Sequence, residues 1–363
     1  RAAAGSMPAS LVGFDGFIDA IIGVVDRRRD MSPGGFEPIR TISQFAARVG
    51  AAAGKSTNIE MVVREERFGG NGPLMASALG RLGSAVTYIG AVGAADDHRR
   101  LHALYTPMLD RCRRVIPVAP PAHTDALEFE DGKIMLGQPA NVQLVTWERL
   151  MEAVGEQELI NLIAQSPLLG IVNWVMMGGV EGIWKGLIGR VLPEVVRRDP
   201  SVKRRVFIDL ADPAKRTDED VRRAMGLLAE MKAIVPVTLG LNQAEAERIA
   251  AAAGLGPIGA SVESAALAIR ERLDLACVVI HPREGAGAAS VGAGGVESAG
   301  VDGPFTRSPR LSTGAGDHFN GGFALGQMLG MPLAESLALG CATSGAYVRD
   351  AGSPDRARGE GFL

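Results

Sequence analysis

Along the chain, short unbroken apolar runs alternate with longer stretches in which apolar and charged positions segregate. A short apolar run, rich in Val and Ile, suits a strand covered on both faces. Segregation at a 3.6-residue period suits a helix with one buried face. The pattern predicts strands at residues 10–14, 85–91, 114–118, 170–177, 205–210, 233–237 and 276–281. It predicts helices over 74–82, 183–197, 218–231, 243–252, 261–273, 316–329 and 333–348. This alternation points to an α/β fold with a mainly parallel sheet covered on both faces.

Two segments break the rhythm. Residues 23–68 are rich in charge, Pro and Gly, and 123–137 read strand, turn, strand, with Asp131-Gly132 at the turn. Asp-Gly between strand residues is a strong hairpin signal. Together they predict a small β-rich lid at 23–67 and 123–137, inserted into an α/β core made of 1–22, 68–122 and 138–363.

Composition narrows the function classes. The 363 residues are 47% apolar and 22% charged, close to globular averages, which excludes a disordered or fibrous chain. No run reaches the ~18 apolar residues that span a bilayer; the best, 168–180, carries Asn173. Net charge is −3 and the arginine clusters lie among acids, which disfavours nucleic acid as a partner. Cys112, Cys277 and Cys341 are far apart with no C-x-x-C, so neither a disulfide framework nor a zinc site is expected. Residues 1–10 lack the apolar core of a signal peptide, and the expectation is a cytoplasmic protein.

Three sequences imitate binding motifs. Gly50-Ala-Ala-Ala-Gly54-Lys55-Ser56-Thr57 has the wrong spacing for a phosphate-binding loop and follows a helical stretch, 42–49. Gly254-Leu-Gly256-Pro257-Ile-Gly259 follows a helix rather than a strand, and Pro257 lacks an amide that phosphates would need. It reads as a helix C-terminal turn. His98 and His102 could share a helix face but lack the Glu of H-E-x-x-H, and read as solvated.

Real chemistry is better placed in Leu311-Ser-Thr-Gly314-Ala315-Gly316-Asp317-His-Phe-Asn320-Gly-Gly. A Gly-rich turn opening a helix aims several free amides at one point, and the helix dipole adds to them, making an anion site. Asp317 falls in the first turn. It either caps the helix or accepts a proton from a hydroxyl attacking a phosphate.

This segment resembles the C-terminal signature of the ribokinase-like (PfkB-type) carbohydrate kinases. Gly69-Gly70-Asn71-Gly72-Pro73-Leu74, running into Tyr88-Ile-Gly-Ala-Val-Gly93 and Asp96-Asp97, resembles their N-terminal signature. The two signatures stand far apart in the right order, and the resemblance covers nearly the whole chain, weakest at 23–68. The resemblance implies a three-layer α/β/α ribokinase-like core, a lid, and ATP-dependent phosphoryl transfer to a hydroxyl of a sugar or sugar-like molecule. Nucleoside or vitamin acceptors, or a non-catalytic sugar binder on the same scaffold, are the alternatives. Asp317 would be the base, with Gly314, Ala315 and Gly316 forming the anion hole. Asp19, with Asp15 beside it, and Gly69, Gly70 and Asn71 would bind the sugar. Leu241-Asn242-Gln-Ala-Glu245 resembles the family's N-x-x-E motif, implying that Asn242 and Glu245 organise Mg²⁺ and phosphates through water. Read without the resemblance, it is a capping box. Val278-Val-Ile-His281-Pro-Arg283-Glu-Gly285-Ala-Gly287 resembles the strand and glycine loop at the nucleotide phosphates, and Asn320 falls on the same side. The family also implies a homodimer paired through the lid.

Departures matter too. Leu74 stands where members carry an Asn that contacts a substrate hydroxyl, which predicts a substrate other than ribose or a common ketohexose. Leu311 replaces an Asp linked to a monovalent-cation site, and Leu cannot ligand K⁺, so K⁺ dependence is not carried over. Asp209 and Asp212 end a core strand, where α/β proteins bind ligands.

Overall fold

The computed structural model describes residues 7–259, 261–292 and 294–362. The chain opens with β1 (Ser10–Phe14), passes through Asp15 and Gly16, and continues as β2 (Phe17–Arg28). Next come β3 (Phe36–Pro38), α1 (Ile42–Gly50), β4 (Met61–Gly69), α2 (Asn71–Arg81), β5 (Val86–Gly90) and β6 (Arg114–Pro117). A hairpin of β7 (Ala122–Phe129) and β8 (Gly132–Gln138) leads to α3 (Trp147–Ala153), α4 (Glu156–Ala164) and β9 (Leu168–Val172). α5 (Val180–Gly186), α6 (Leu192–Arg198), β10 (Arg205–Asp209), α7 (Asp218–Lys232), β11 (Val237–Leu241) and α8 (Gln243–Ala252) follow. The chain ends with α9 (Val262–Leu273), β12 (Cys277–Ile280), β13 (Gly285–Gly292), β14 (Gly295–Asp302), α10 (Ala315–Met328), α11 (Leu333–Asp350) and α12 (Arg356–Glu360).

Among the described residues, nine strands form one sheet in the order β14-β13-β12-β11-β10-β9-β1-β5-β6. β12 through β6 in that order are parallel, and the β13–β14 hairpin joins antiparallel at one edge. The central strands are buried along their length, as strands covered by helices on both faces must be. The core includes Trp174 and Trp184, both fully buried. Burying such a side chain contributes on the order of 2–3 kcal/mol.

A second sheet has β2 at its centre, antiparallel to β4 and β3 and parallel to β7, which pairs with β8. Side chains along β2 alternate between two environments. Phe17, Asp19 and Ile21 face the space between the sheets, whereas Ala20, Ile22 and Val24 pack with Ile39 and Leu127 in a small core of their own.

Several elements depart from the sequence reading. The second sheet begins at Phe17, ahead of the expected boundary at 23. The strand expected at 170–177 is 168–172, because Asn173 adopts φ 65° and turns the chain. Asn tolerates this left-handed region better than most residues. The strand expected at 233–237 is instead 237–241. Ile234 and Val235 close the turn after α7 by donating to Met231, and Pro236 has no N–H for a ladder. The helix expected at 183–197 starts at Val180 and contains a π turn at Leu187–Val191. The β7–β8 turn is Glu130-Asp131, with Gly132 already paired to Phe129. Residues 285–302, expected to begin as a glycine loop, are the β13–β14 hairpin. His98 and His102 share no helix face: His98 lies in a turn and His102 caps a 3₁₀ turn.

Candidate active site

The parallel strands all end on one side of the sheet, and five of them place a polar residue at or just beyond that end. Asp15 follows β1, Asn173 follows β9, Asp209 ends β10, Asn242 follows β11 and His281 follows β12. β5 and β6 are followed by the apolar Ala91 and Val118, so the polar residues gather at five of the seven parallel strands. This carboxyl edge is where open α/β sheets place ligands.

Asp15 is fully buried and holds the N-terminus of α2. One carboxylate oxygen accepts from the Gly72 amide at 2.7 Å. The other accepts from the Asn71 amide at 2.9 Å and from Asn173 Nδ2 at 2.7 Å. Burial pushes its pKa up to about 6 against those three donors. With both oxygens engaged, Asp15 positions α2, and Asp19 is the carboxylate that lines the open cleft. Burial also raises Asp19 to about 6, opposed by the Arg67 charge and a Thr124 hydrogen bond. Gly69 packs directly on Asp19: a Cβ there would lie 2.1 Å from Oδ2.

The second half of the site is the start of α10. Gly314 caps the helix at φ 89°, and a Cβ on it would meet Leu74 Cδ1 at 2.6 Å. Leu74 therefore packs under the Gly314 turn. His318 braces the same turn. Its Nδ1 lies 2.7 Å from the Gly314 carbonyl and its ring stacks on Tyr347 at 3.6 Å. Asp317 is buried and accepts from Asn71 Nδ2 at 2.9 Å. Its pKa is held well above the usual carboxylate value, first by burial and then by the charges of Asp209 and Asp15. Asn71 thus joins the two halves, its amide on Asp15 and its side chain on Asp317.

At the third corner, Asn242 and Glu245 form a closed capping box. Glu245 accepts from Asn242 N and Nδ2, each at 2.7 Å, and donates its own amide to Asn242 Oδ1 at 2.9 Å. Burial, then the Asp209 charge, raises Glu245 to about 8. Asp209 accepts from Asn320 Nδ2 at 2.6 Å, which leaves Asn320 Oδ1 buried without a partner. His281 lies against the first turn of α10, its ring 4.7 Å from Phe319, and its buried Nε2 has no partner. Arg283 lies over the Phe305 ring. Gly285 and Gly287 are strand residues, and Gly287 makes room for the start of α9: a Cβ there would meet Glu263 N at 2.8 Å.

Between the two sheets lies a cleft of about 260 Å³, lined by Asp19, Asn71, Leu74, Gly314 and Asp317 among others. The sequence reading missed several of its walls. Thr124 and Met135 come from the β7–β8 hairpin, and Met176 and Lys215 come from turns after β9 and β10. Asn173 had a visible signal, a polar residue inside an apolar run. Lys133, which donates to Ser312 Oγ at 3.0 Å and to Thr313 Oγ1, had none.

The cleft sets a buried carboxylate, in the first turn of a glycine-led helix, opposite a carboxylate on a second sheet, within a ribokinase-like α/β fold. The solved structures agree on the fold. Ribokinase from Arabidopsis thaliana, complexed with ribose and ATP, superposes with a TM-score of 0.64 at 15% identity, covering 99% of each chain. Phosphofructokinase-2 from Escherichia coli, in complex with fructose-6-phosphate, gives 0.63 at 14% identity and 98% coverage of each. A ketohexokinase from Haloferax volcanii is 29% identical over 97% of this chain and 91% of its own. A family model described as prokaryotic ketohexokinase matches residues 4–362. The chain belongs to the prokaryotic ketohexokinase family, and it is a carbohydrate kinase.

Proposed function

We propose that the chain transfers the γ-phosphoryl group of ATP to a hydroxyl of a ketohexose. The observation that carries this is Asp317, buried in the first turn of α10, lining the cleft and aligned by Asn71. In this reading Asp19 accepts hydrogen bonds from sugar hydroxyls and leaves the attacking hydroxyl facing Asp317. Asp317 takes the hydroxyl proton as the new P–O bond forms. The amides of Gly314, Ala315 and Gly316 stabilise the charge on the transferring phosphoryl group, and ADP leaves. The nucleotide phosphates would run from α10 toward His281, Arg283 and Asn320, past Asn242 and Glu245. The ketose reading replaces the expectation drawn from Leu74, whose side chain packs under Gly314.

A divalent cation fits this corner as a hydrated partner. Among the described residues no group of three or more His, Cys, Asp or Glu could cage a metal. Glu245 and Asn242 are engaged with each other, so Mg²⁺ would ride on phosphates and water. When bound it would neutralise phosphate charge. The second sheet acts as a lid that closes over the sugar and excludes water. A homodimer paired through that sheet is part of the proposal, supported by the exposed Met61, Val63 and Leu136 on its strands. Sedimentation velocity reads it.

A coupled assay for ADP release, run over ketohexoses, aldoses, polyols and nucleosides, tests the activity. Turnover should be greatest with a ketohexose. Absence of ADP release with every ketohexose would overturn the reading.

A further inference from the structure

Lys133 belongs to β8 of the small sheet, yet its ammonium ends on the large domain. It donates to Ser312 Oγ at 3.0 Å and to Thr313 Oγ1. Thr313 is the residue before Gly314, where the proposed anion hole begins, and it lines the cleft with Asp317. Both partners are neutral hydroxyls, and among the described residues no carboxylate pairs with this lysine. A part-buried ammonium is expected to have a negative partner, because desolvating a charge is costly unless it is paired. Burial lowers its pKa, while the charges of Glu128 and Asp19 work against that. Acids outnumber cations around the cleft: Asp19, Asp212 and Asp317 are on its walls with Lys215 as the one cation among the described residues there, and Asp209 and Glu245 lie behind them. An incoming polyphosphate would meet repulsion there, and the cation touching the anion-hole turn comes from the opposite sheet.

We propose that Lys133 is a catalytic residue, in which the small sheet carries a positive charge to the γ-phosphoryl group of the bound nucleotide. The inference rests on the phosphoryl-transfer reading above. With the nucleotide in place, the ammonium exchanges one or both hydroxyls for a phosphoryl oxygen. No bond to lysine forms or breaks. Its charge offsets the negative charge on the equatorial oxygens as the P–O bond to ADP lengthens and the bond to the sugar forms. Because the charge arrives with the small sheet, closure and completion of the phosphoryl site become one event.

The test compares wild type, Lys133→Met and Lys133→Arg. Steady-state kinetics with Mg·ATP and a ketohexose give kcat and KM. Calorimetry in the presence of the ketohexose compares Mg·ADP with the non-hydrolysable imido analogue of ATP. Lys133→Met should lower kcat about 100-fold, the scale of losing one preorganised charge-stabilising contact. KM for the sugar should hold. The variant should also lose the preference of wild type for the imido analogue over ADP, and Lys133→Arg should restore part of both. The ligand-free melting temperature should not drop, since the lysine makes no ion pair. An unchanged kcat, or an unchanged preference for the γ-phosphoryl analogue, in Lys133→Met overturns the role of Lys133 while leaving the kinase reading intact. A wild-type protein that binds no nucleotide overturns both.

Discussion

At the smallest scale the proposed chemistry rests on Asp317. Asp317→Asn keeps the Asn71 neighbour and removes the proton acceptor. Turnover should fall by about 10²–10⁴, the usual weight of a general base. The melting temperature should hold, since Asn has the same shape and its Oδ1 can still accept from Asn71. An active Asp317→Asn enzyme would remove Asp317 from its role.

The other buried acids give the protein a pH signature. Burial holds Asp15 and Asp19 at about 6 and Glu245 at about 8, against ordinary values of 3.8 and 4.5. Between the ordinary and the raised values, the folded chain keeps protons that the unfolded chain has released. Stability then falls as pH rises. His281 and His318, pushed down by burial to about 4 and about 3, act in the opposite sense below 6.5. From pH 6.5 to 8 the acids act alone. The ligand-free melting temperature should decline across that window, and Glu245→Gln should flatten the decline. A rising melting temperature there would contradict these environments. The acids that matter here were legible because motifs flank them. Lys133 was not, because its contact lies 180 residues away in sequence; Asn173 stood out as a polar residue in an apolar run, but its partner Asp15 lies 158 residues away.

Among the elements, α2 is the one whose start is most constrained. Its first amides end on Asp15, and Gly69, just before it, touches Asp19. Gly69→Ala would drive a methyl into the Asp19 carboxylate, so KM for the sugar should rise about tenfold or more, the effect of about 1.4 kcal/mol. Binding of Mg·ADP should be unaffected; parallel losses for both ligands would point to general misfolding. Asp15→Ala would strip two amides of their acceptor and should cost about 1–3 kcal/mol in chemical denaturation. Helices with caps in the sequence were read closely, as at Gln243–Ala252. Strand ends were read less well, because apolar residues of a helix-terminal turn, such as Ile234 and Val235, look like the start of a strand.

For the whole molecule, the alternation of strands and helices foretold the large sheet. The small sheet was half legible, since only its hairpin carries a strong local signal. β2 and β4 pair over a long sequence separation, and the middle of β4 is the charged run Arg64-Glu-Glu-Arg67. If the small sheet closes over substrate, amide hydrogen exchange in β7 and β8 should slow when ketohexose and the imido analogue are bound together, and much less with either alone. Equal protection by the nucleotide alone would argue against closure over the sugar.

The joint between β1 and β2 has a genetic consequence. Only Asp15 and Gly16 separate the last strand position of the large sheet from the first of the small one. Strand faces repeat every two residues, so one inserted or deleted codon within this joint would exchange the faces of β2. Asp19 would turn into the small apolar core, and Ile18 or Ala20 would face the cleft. Homologous chains that change length should do so at the turns of the small sheet, around residues 30–35 or 51–60, and keep this two-residue spacing fixed.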